Sequence, residues 1–238
     1  MDGLSLSVII PSRARSRQQE FLDNAIYSIQ TQTDAEIIVA IDRDADRPYV
    51  EAKLVVAGNS QAAALNAGVA VSTGDLIAFL EDDDKWSVGK VDSQLEALES
   101  YDFVSTNQLE VEEDGNVLRV NDFPTPSGWM MKRATWDKVG EFDLTYRWHM
   151  DTEWLGRLNC YQLRRCHLVE ATAPIHPAYM GVRPWLGEVA KHSHIVRSGH
   201  SMPLVRRLVH PEQGMNNLDQ RSQEEHQRMF NCFKEIPW

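Results

Sequence analysis

The stretch at residues 74–84 (GDLIAFLEDDD) constrains the fold of this chain more than any other. Its five consecutive apolar residues, 76–80, are typical of a short strand that is buried on both faces. Four acids follow at once, and Lys85 and Trp86 close the run. Because carboxylates this close repel one another, the run is either a solvated acidic turn or a site where a divalent cation relieves the repulsion.

A strand that carries acids at its C-terminal end is typical of ligand sites in open α/β sheets. Oxygen ligands alone favour a hard ion such as Mg²⁺ or Mn²⁺, which commonly bridges protein carboxylates and substrate phosphates. The rest of the chain decides between this interpretation and the solvated turn.

The first 84 residues alternate strand and helix patterns, which predicts a Rossmann-like unit with right-handed crossovers. Apolar runs rich in β-branched residues predict the strands, and apolar residues spaced by three and four predict the helices. We expect strands at 6–11, 35–41, 53–57 and 76–80, and helices at 20–32 and 61–71.

The pattern beyond residue 84 is more mixed. We expect helices at 88–100, 133–139 and 147–158, a strand at 103–106, a hairpin at 109–112 and 117–120, and a last sheet strand at 166–173. After Pro174 periodic apolar residues are few, which predicts loops and a short helix before a terminal helix at 221–233.

Composition argues against several classes of protein. The formal net charge is −11 and no Lys/Arg-rich block exists, which argues against general nucleic-acid binding. No apolar run approaches the roughly 20 residues that span a bilayer, and the start lacks the basic region of a signal peptide. The three cysteines form no CxxC pair. We therefore expect a cytoplasmic protein with no transmembrane segment, and its oligomeric state stays open.

Seven short segments of the chain match a known family pattern. Each match is weak evidence alone, but the order and spacing of the seven together are specific. They are 7–11 (SVIIP), 38–42 (IVAID), 66–68 (NAG), 73–75 (TGD), 80–86 (LEDDDKW), 139–143 (VGEFD) and 150–158 (MDTEWLGRL). With these segments the chain resembles the family 2 glycosyltransferases, nucleotide-sugar enzymes of the GT-A fold.

The resemblance implies an α/β fold with a mixed, mainly parallel central sheet flanked by helices. A small additional β element and a helical or loop C-terminal region complete it. The implied catalytic domain covers 1–175, with a nucleotide-sugar half at 1–106 and an acceptor half at 107–175. Residues 176–238 would form an extension packed on the same domain.

The resemblance also implies the residues of the donor site. In the family, the proline that ends the first strand precedes a loop that lines the nucleotide site, and an acid after the second strand binds the base or ribose. The residues expected to contact the donor are Pro11, Ser12, Arg13, Asp42, Asn66, Glu81, Asp82 and Asp83.

The D-x-D motif of the family is implied to hold the metal. Aligned on the flanking leucine and tryptophan, it falls on Glu81, Asp82 and Asp83, and a frame one residue later is also open. Asp83 lies beside the metal in both frames, so we expect it to bind Mn²⁺ or Mg²⁺.

Related folds often complete the metal site with a histidine from a C-terminal loop. Five of the eight histidines fall between residues 176 and 210. His192, His194 and His200 are candidates that no spacing distinguishes, and we expect His194 to be the ligand.

The general base of the family is an acid at the start of a helix with the pattern E/D-D-x-x-x-x-x-R. Here Met150 replaces the first acid, Asp151 keeps the second, and Arg157 follows. Asp151 is therefore the expected base, within hydrogen-bond reach of an acceptor hydroxyl that attacks C1 of the sugar. A single base acting from the opposite face implies inversion of the anomeric centre.

The implied function is metal-dependent, inverting transfer of a sugar, expected from a UDP-sugar, to a glycan or another hydroxyl acceptor. Two alternatives stay open. A sugar nucleotidylyltransferase would need a glycine-rich phosphate loop after the first strand, and residues 11–15 contain no glycine. A non-catalytic glycan-binding domain that keeps the fold is supported only by Met150 and Glu81, which depart from the family pattern.

Overall fold

The order of strands and helices follows the sequence pattern closely. A computed structural model describes residues 3–13, 18–44, 47–170, 183–211, 213 and 218–235. The strands are β1 (Leu6–Ser12), β2 (Glu36–Ile41), β3 (Lys53–Val56), β4 (Leu76–Phe79), β5 (Lys85–Trp86), β6 (Phe103–Thr106), β7 (Gln108–Glu112), β8 (Val117–Asn121), β9 (Met130–Lys132), β10 (Arg165–Val169), β11 (His194–Arg197) and β12 (Val205–Val209). The helices are α1 (Gln18–Gln30), α2 (Gln61–Val71), α3 (Lys90–Leu98), α4 (Arg133–Val139), α5 (Met150–Cys160), α6 (Pro184–Val189) and α7 (Gln220–Phe233).

Within the described ranges, the central sheet has eight strands in the order β11-β10-β6-β9-β4-β1-β2-β3. Strand β9 runs antiparallel to its neighbours β4 and β6, and the other neighbouring pairs are parallel. All four residues of β4 are buried, as its continuous apolar sequence predicts. The predicted α/β class with a mainly parallel central sheet is confirmed.

In the same described part of the chain, a second sheet has four strands in the order β5-β12-β7-β8. Strands β7 and β8 form the predicted hairpin, β12 runs parallel to β7, and β5 pairs antiparallel with β12. Since β4 belongs to the central sheet and β5 to the second one, the acid run between them lies where the two sheets meet.

The region after residue 174 differs from the expectation of loops and a short helix. Strand β11 adds to the edge of the central sheet beside β10, and β12 inserts between β5 and β7. Both strands are short and depend on partners far along the chain, which local periodicity does not reveal. Strand β10 ends at Val169, and residues 171–173 of the predicted strand lie outside the described residues.

Helix α2 lies close against the central sheet because its residues are small. Ser60 caps its N-terminus, with Oγ accepting a hydrogen bond from Ala63 N at 3.2 Å. A Cβ added to Gly68 would lie 2.3 Å from Cγ2 of Ile9, a fully buried residue of β1. In the described part of the chain, no helix is long and apolar enough to cross a membrane.

The close approach of α2 gives a stability prediction. Gly68→Ala should lower the free energy of unfolding by about 1–3 kcal/mol, because the new methyl overpacks against Ile9. Gly187→Ala is the matched control, since no atom lies within 4 Å of its added Cβ in α6. Urea unfolding of both variants checks this, and a Gly68→Ala protein as stable as wild type would contradict it.

Candidate functional site

The four acids of the run lie at the C-terminal end of β4, partly withdrawn from solvent. Asp82 and Asp84 are buried, with 9% and 1% of their surface exposed, while Glu81 and Asp83 are partly buried. One carboxylate oxygen each from Glu81, Asp83 and Asp84 lies within 4.8 Å of the others. The solvated acidic turn is therefore not what this run forms.

The acids are held by partners from three different elements. Ser12 Oγ of β1 donates to Asp82 Oδ2 at 2.6 Å, and Gln61 Nε2 of α2 donates to Glu81 Oε1 at 2.7 Å. In β12, Leu208 N donates to Asp84 Oδ1 at 3.2 Å. Each carboxylate thus has its own orientation, set by a different part of the fold.

The histidine at this cluster is His210, which directly follows β12. Its Nε2 lies 3.0 Å from Asp83 Oδ2, and its ring centroid lies 5.8 Å from that of Phe21 in α1. His210 belongs to the histidine-rich stretch but was not among the three candidates. The signal that could have found it is the segment 204–209 (LVRRLV), whose leucines and valines flank an arginine pair and are typical of a short strand that ends before His210 and Pro211.

The expected metal ligand His194 is not brought to the acids, and this is a correction. His194 begins β11, four strands away from β4, and β11 runs parallel to β4. It therefore lies at the opposite end of the strands from the acid run, where its Nδ1 is 3.2 Å from the hydroxyl of Tyr101.

The expected donor residues at the end of β1 and β2 lie next to one another. Ser12 is the partner of Asp82, and its carbonyl oxygen accepts a hydrogen bond from Asp42 N at 3.3 Å. Pro11 precedes Ser12 in β1, and Arg13 follows it with an exposed side chain. These neighbours of the acid run remain predicted donor contacts.

Asn66 of α2 bonds the backbone of Phe142 through both ends of its side-chain amide. Its Nδ2 donates to the carbonyl of Phe142 at 2.9 Å, and its Oδ1 accepts from Phe142 N at 2.9 Å. The buried amide of Asn66 thus tethers α2 to the segment that leads to α5, and its contact with the donor stays a prediction.

Asp151 lies in the first turn of α5, close enough to the acid run for its charge to act on Glu81, 70 positions earlier in the chain. Burial and the charge of Asp83 raise the pKa of Glu81 most, and the charge of Asp151 adds to that rise. Thr152 N donates to Asp151 Oδ1 at 2.7 Å, and burial raises the pKa of Asp151. Arg157 of the same pattern bonds other residues than Asp151. Its Nε donates to Glu153 Oε1 at 2.8 Å, and its Nη1 and Nη2 donate to the carbonyl oxygens of Val139 and Glu141, each at 2.7 Å.

Comparison with known proteins assigns the chain to a family. The profile described as "Glycosyl transferase family 2" matches residues 7–155, more than half of the chain. The chain belongs to glycosyl transferase family 2. Its expected resemblance to that family is confirmed.

One curated relative is the uncharacterized glycosyltransferase alr2836 of Nostoc sp. (strain PCC 7120), which is 31% identical over 137 residues. That match covers 51% of this chain and 41% of the relative, so the family 2 chain spans under half of that protein.

Two solved structures show the GT-A fold of this family 2 chain at low sequence identity. S. aureus TarS 1–349, in complex with UDP-GlcNAc, has a TM-score of 0.60 at 12% identity, with 97% of this chain and 65% of TarS covered. The mannosyltransferase PcManGT from Pyrobaculum calidifontis, in complex with GDP-Man and Mn²⁺, has a TM-score of 0.52 at 15% identity, with 79% and 61% covered. The chain thus covers under two thirds of each neighbour.

In this family 2 chain the crowding of carboxylates carries an electrostatic cost. Burial, followed by the charge of Asp83, raises the pKa of Glu81 and of Asp84, and it raises the pKa of Asp82 to about 7. Such buried carboxylates destabilise a fold unless an opposite charge compensates them.

Arg207 supplies part of that compensation and was missed by the sequence reasoning. Its Nη1 donates to Glu110 Oε1 at 3.2 Å. Burial opposes its charge, but the carboxylates of Glu81, Asp84 and Glu110 outweigh burial and raise the pKa of Arg207. An arginine pair at 206–207 carries no motif, so only the pairing of β12 reveals this role.

The cost of the acid run can be measured without any ligand. In metal-free protein near pH 8, Asp84→Asn should raise the melting temperature, because it removes a buried charge while keeping an acceptor for Leu208 N. A carboxyl whose folded pKa is raised stabilises below its unfolded pKa of about 3.9 and loses that stabilisation as pH rises. The gain should therefore grow from pH 4 to pH 8 in thermal unfolding with a chelator present.

Asp137→Asn on α4 is the control, since Asp137 is exposed. Its melting temperature should follow that of wild type at every pH. A metal-free Asp84→Asn protein that melts below wild type at pH 8 would contradict the electrostatic interpretation.

Proposed function

We propose that this protein transfers a sugar from a nucleotide-sugar donor to a hydroxyl acceptor, with a divalent ion bound and with inversion at the anomeric carbon. The observation that carries the proposal is the meeting of Asp151, the acid run and His210 in one site, although they come from α5, β4 and β12. Family 2 membership supports it.

Asp83 and His210 are the residues that would hold the divalent ion, with Glu81 and Asp84 beside them. The donor set fits such an ion, because three carboxylate oxygens lie within 4.8 Å of one another and the imidazole Nε2 lies 3.0 Å from Asp83. Carboxylates suit Mg²⁺ and Mn²⁺, and an imidazole nitrogen suits transition metals, so we propose Mn²⁺. When bound, the ion would neutralise the charge of the departing diphosphate.

Ser12 and Asp42 would line the nucleotide, as they adjoin the acid run at the end of β1 and β2. We propose a UDP-sugar as donor. TarS was solved with UDP-GlcNAc and PcManGT with GDP-Man, so these two nucleotide sugars are the first compounds to test.

Asp151 would act as the general base. Its carboxylate takes the proton of the acceptor hydroxyl as that oxygen bonds to C1 of the sugar and the bond from C1 to the diphosphate oxygen breaks. Burial raises the pKa of Asp151 toward the working pH, which strengthens it as a base. One carboxylate on the side opposite the leaving group supports a single displacement with inversion.

The two alternatives fit the site less well. A nucleotidylyltransferase would bind phosphates with a glycine-rich loop, and family 2 membership does not favour it. A non-catalytic glycan-binding domain would have no need of a buried, self-repelling acid run next to a histidine.

The base is tested with Asp151→Asn. Hydrolysis of UDP-GlcNAc with Mn²⁺, where water replaces the unknown acceptor, should fall by about 10²–10⁴-fold, since this is the usual contribution of a general base. Release of UDP measures the rate, and Asp137→Asn serves as the control. If Asp151→Asn retained full activity, the assigned base would be wrong.

The choice of histidine is tested by a matched pair. His210→Ala should weaken Mn²⁺ binding by at least roughly 10–100-fold, because loss of even an outer-shell partner of a metal site costs that much, while His194→Ala should leave it unchanged. Calorimetric titration with Mn²⁺ measures both, and Asp83→Ala provides the reference for a lost ligand. Equal Mn²⁺ affinity in His210→Ala and wild type would overturn this assignment.

A further inference from the structure

Helix α7 lies across the segment that leads into the helix of the base. We propose that Glu225 on α7 is a positioning residue for Asp151. Glu225 holds the three backbone N–H groups directly before α5 and so fixes where that helix begins. The inference rests on the proposed function, because it assumes that Asp151 is the base.

The contacts of Glu225 converge on three consecutive residues. Its Oε1 accepts from Arg147 N at 2.8 Å, and its Oε2 accepts from Trp148 N at 2.8 Å and His149 N at 3.3 Å. His149 is the residue before the first turn of α5 and has no side-chain hydrogen bond to cap it. The carboxylate of Glu225 therefore bonds the N–H of the N-cap residue, the group that the glutamate of a capping box bonds, together with the two N–H groups before it.

An arginine one turn earlier on α7 holds the carboxylate of Glu225 in place. Only 4% of its surface is exposed, and Arg221 Nε donates to its Oε1 at 2.8 Å. Arg221 also donates from Nη2 to the carbonyl of Thr145 at 3.1 Å. Burial opposes the charge of Glu225, but these backbone and guanidinium donors outweigh it and lower its pKa. A negative charge at this end of α5 also matches the helix dipole.

A second set of contacts joins α7 to the same segment. Ser222 Oγ lies 3.0 Å from His149 Nε2, and Trp148 Nε1 donates to Asp219 Oδ1 at 2.9 Å. Burial raises the pKa of Asp151, and His149 is close enough that its charge opposes part of that rise. The start of α7 thus bonds both the backbone N–H and the side-chain ring of each of the two residues that precede Met150.

Packing along the two helices keeps these contacts in register. Met229 of α7 is fully buried in the same apolar cluster as Met150 and Leu155 of α5. Phe233 lies against Gly156, where an added Cβ would be 2.5 Å from its ring. A shift of α7 would therefore move the N-terminal turn of α5, and with it Asp151 relative to the acid run.

A kinetic test separates positioning from a general effect on stability. Glu225→Ala should lower kcat for Mn²⁺-dependent UDP-GlcNAc hydrolysis by about 10- to 100-fold, because a misplacement of about 1 Å costs on the order of 100-fold. The KM for UDP-GlcNAc should stay unchanged, since Glu225 lies outside the donor site. Glu225→Gln, which keeps one acceptor oxygen and the shape, should recover part of the loss.

Two controls make the result specific. Glu224→Ala changes the exposed neighbour, which accepts a hydrogen bond from Gln220 of its own helix at 2.8 Å, and it should retain full activity. In an Asp151→Asn background, Glu225→Ala should cost nothing more, because a positioning residue acts through the base. Losses that multiply in the double variant, or a Glu225→Ala protein with normal kcat, would overturn the inference.

Amide hydrogen exchange tests the contact without turnover. In Glu225→Ala the amides of residues 147–149 should exchange faster than in wild type, while Glu224→Ala should leave them unchanged. Unchanged exchange in Glu225→Ala would also overturn the inference. A wild-type protein that binds neither UDP-GlcNAc nor GDP-Man would instead refute the proposed function, and the exchange result would still decide whether Glu225 holds the start of α5.

Discussion

Burial and mutual repulsion of adjacent carboxylates impose the energetic cost that the rest of the site has to balance. The acids begin where β4 leaves the central sheet and end where β5 enters the second sheet, so the backbone on both sides is anchored. Ser12, Gln61 and the amide of Leu208 then orient three of the side chains separately. The folded protein thus keeps buried carboxylates together at a cost in stability, which a bound cation can offset.

Three residues in or next to strand β12 interact with the acid run. The amide of Leu208 bonds Asp84, Arg207 brings a positive charge to the cluster, and His210 after the strand contacts Asp83. Because β12 pairs with both β5 and β7, the second sheet fixes all three groups relative to the acids. The small additional sheet is therefore part of the site and not an appendage to the fold.

Helix α5 brings a further carboxylate, that of Asp151, close to the acid run. Asp151 influences Glu81 electrostatically across 70 positions of sequence, and α7 holds the chain just before it through Glu225. Two segments from the last quarter of the protein, β12 and α7, thus complete a site whose principal acids come from its first two thirds. Truncation or displacement of either segment would affect chemistry that the acids alone do not perform.

The sequence by itself determined most strands and helices through α5, except the short β5 and β9, together with the buried β4 and the acids at its end. These features depend on local periodicity and on adjacent residues. The family resemblance also made Asp151 the candidate base, through a helix-start pattern. Only the tertiary structure decided that His210 and not His194 meets Asp83, that Asn66 binds the Phe142 backbone, and that Arg207 and Glu225 support the site. Each of these depends on which distant strands and helices pack together, and the short strands β11 and β12 acquire their positions from partners far along the chain.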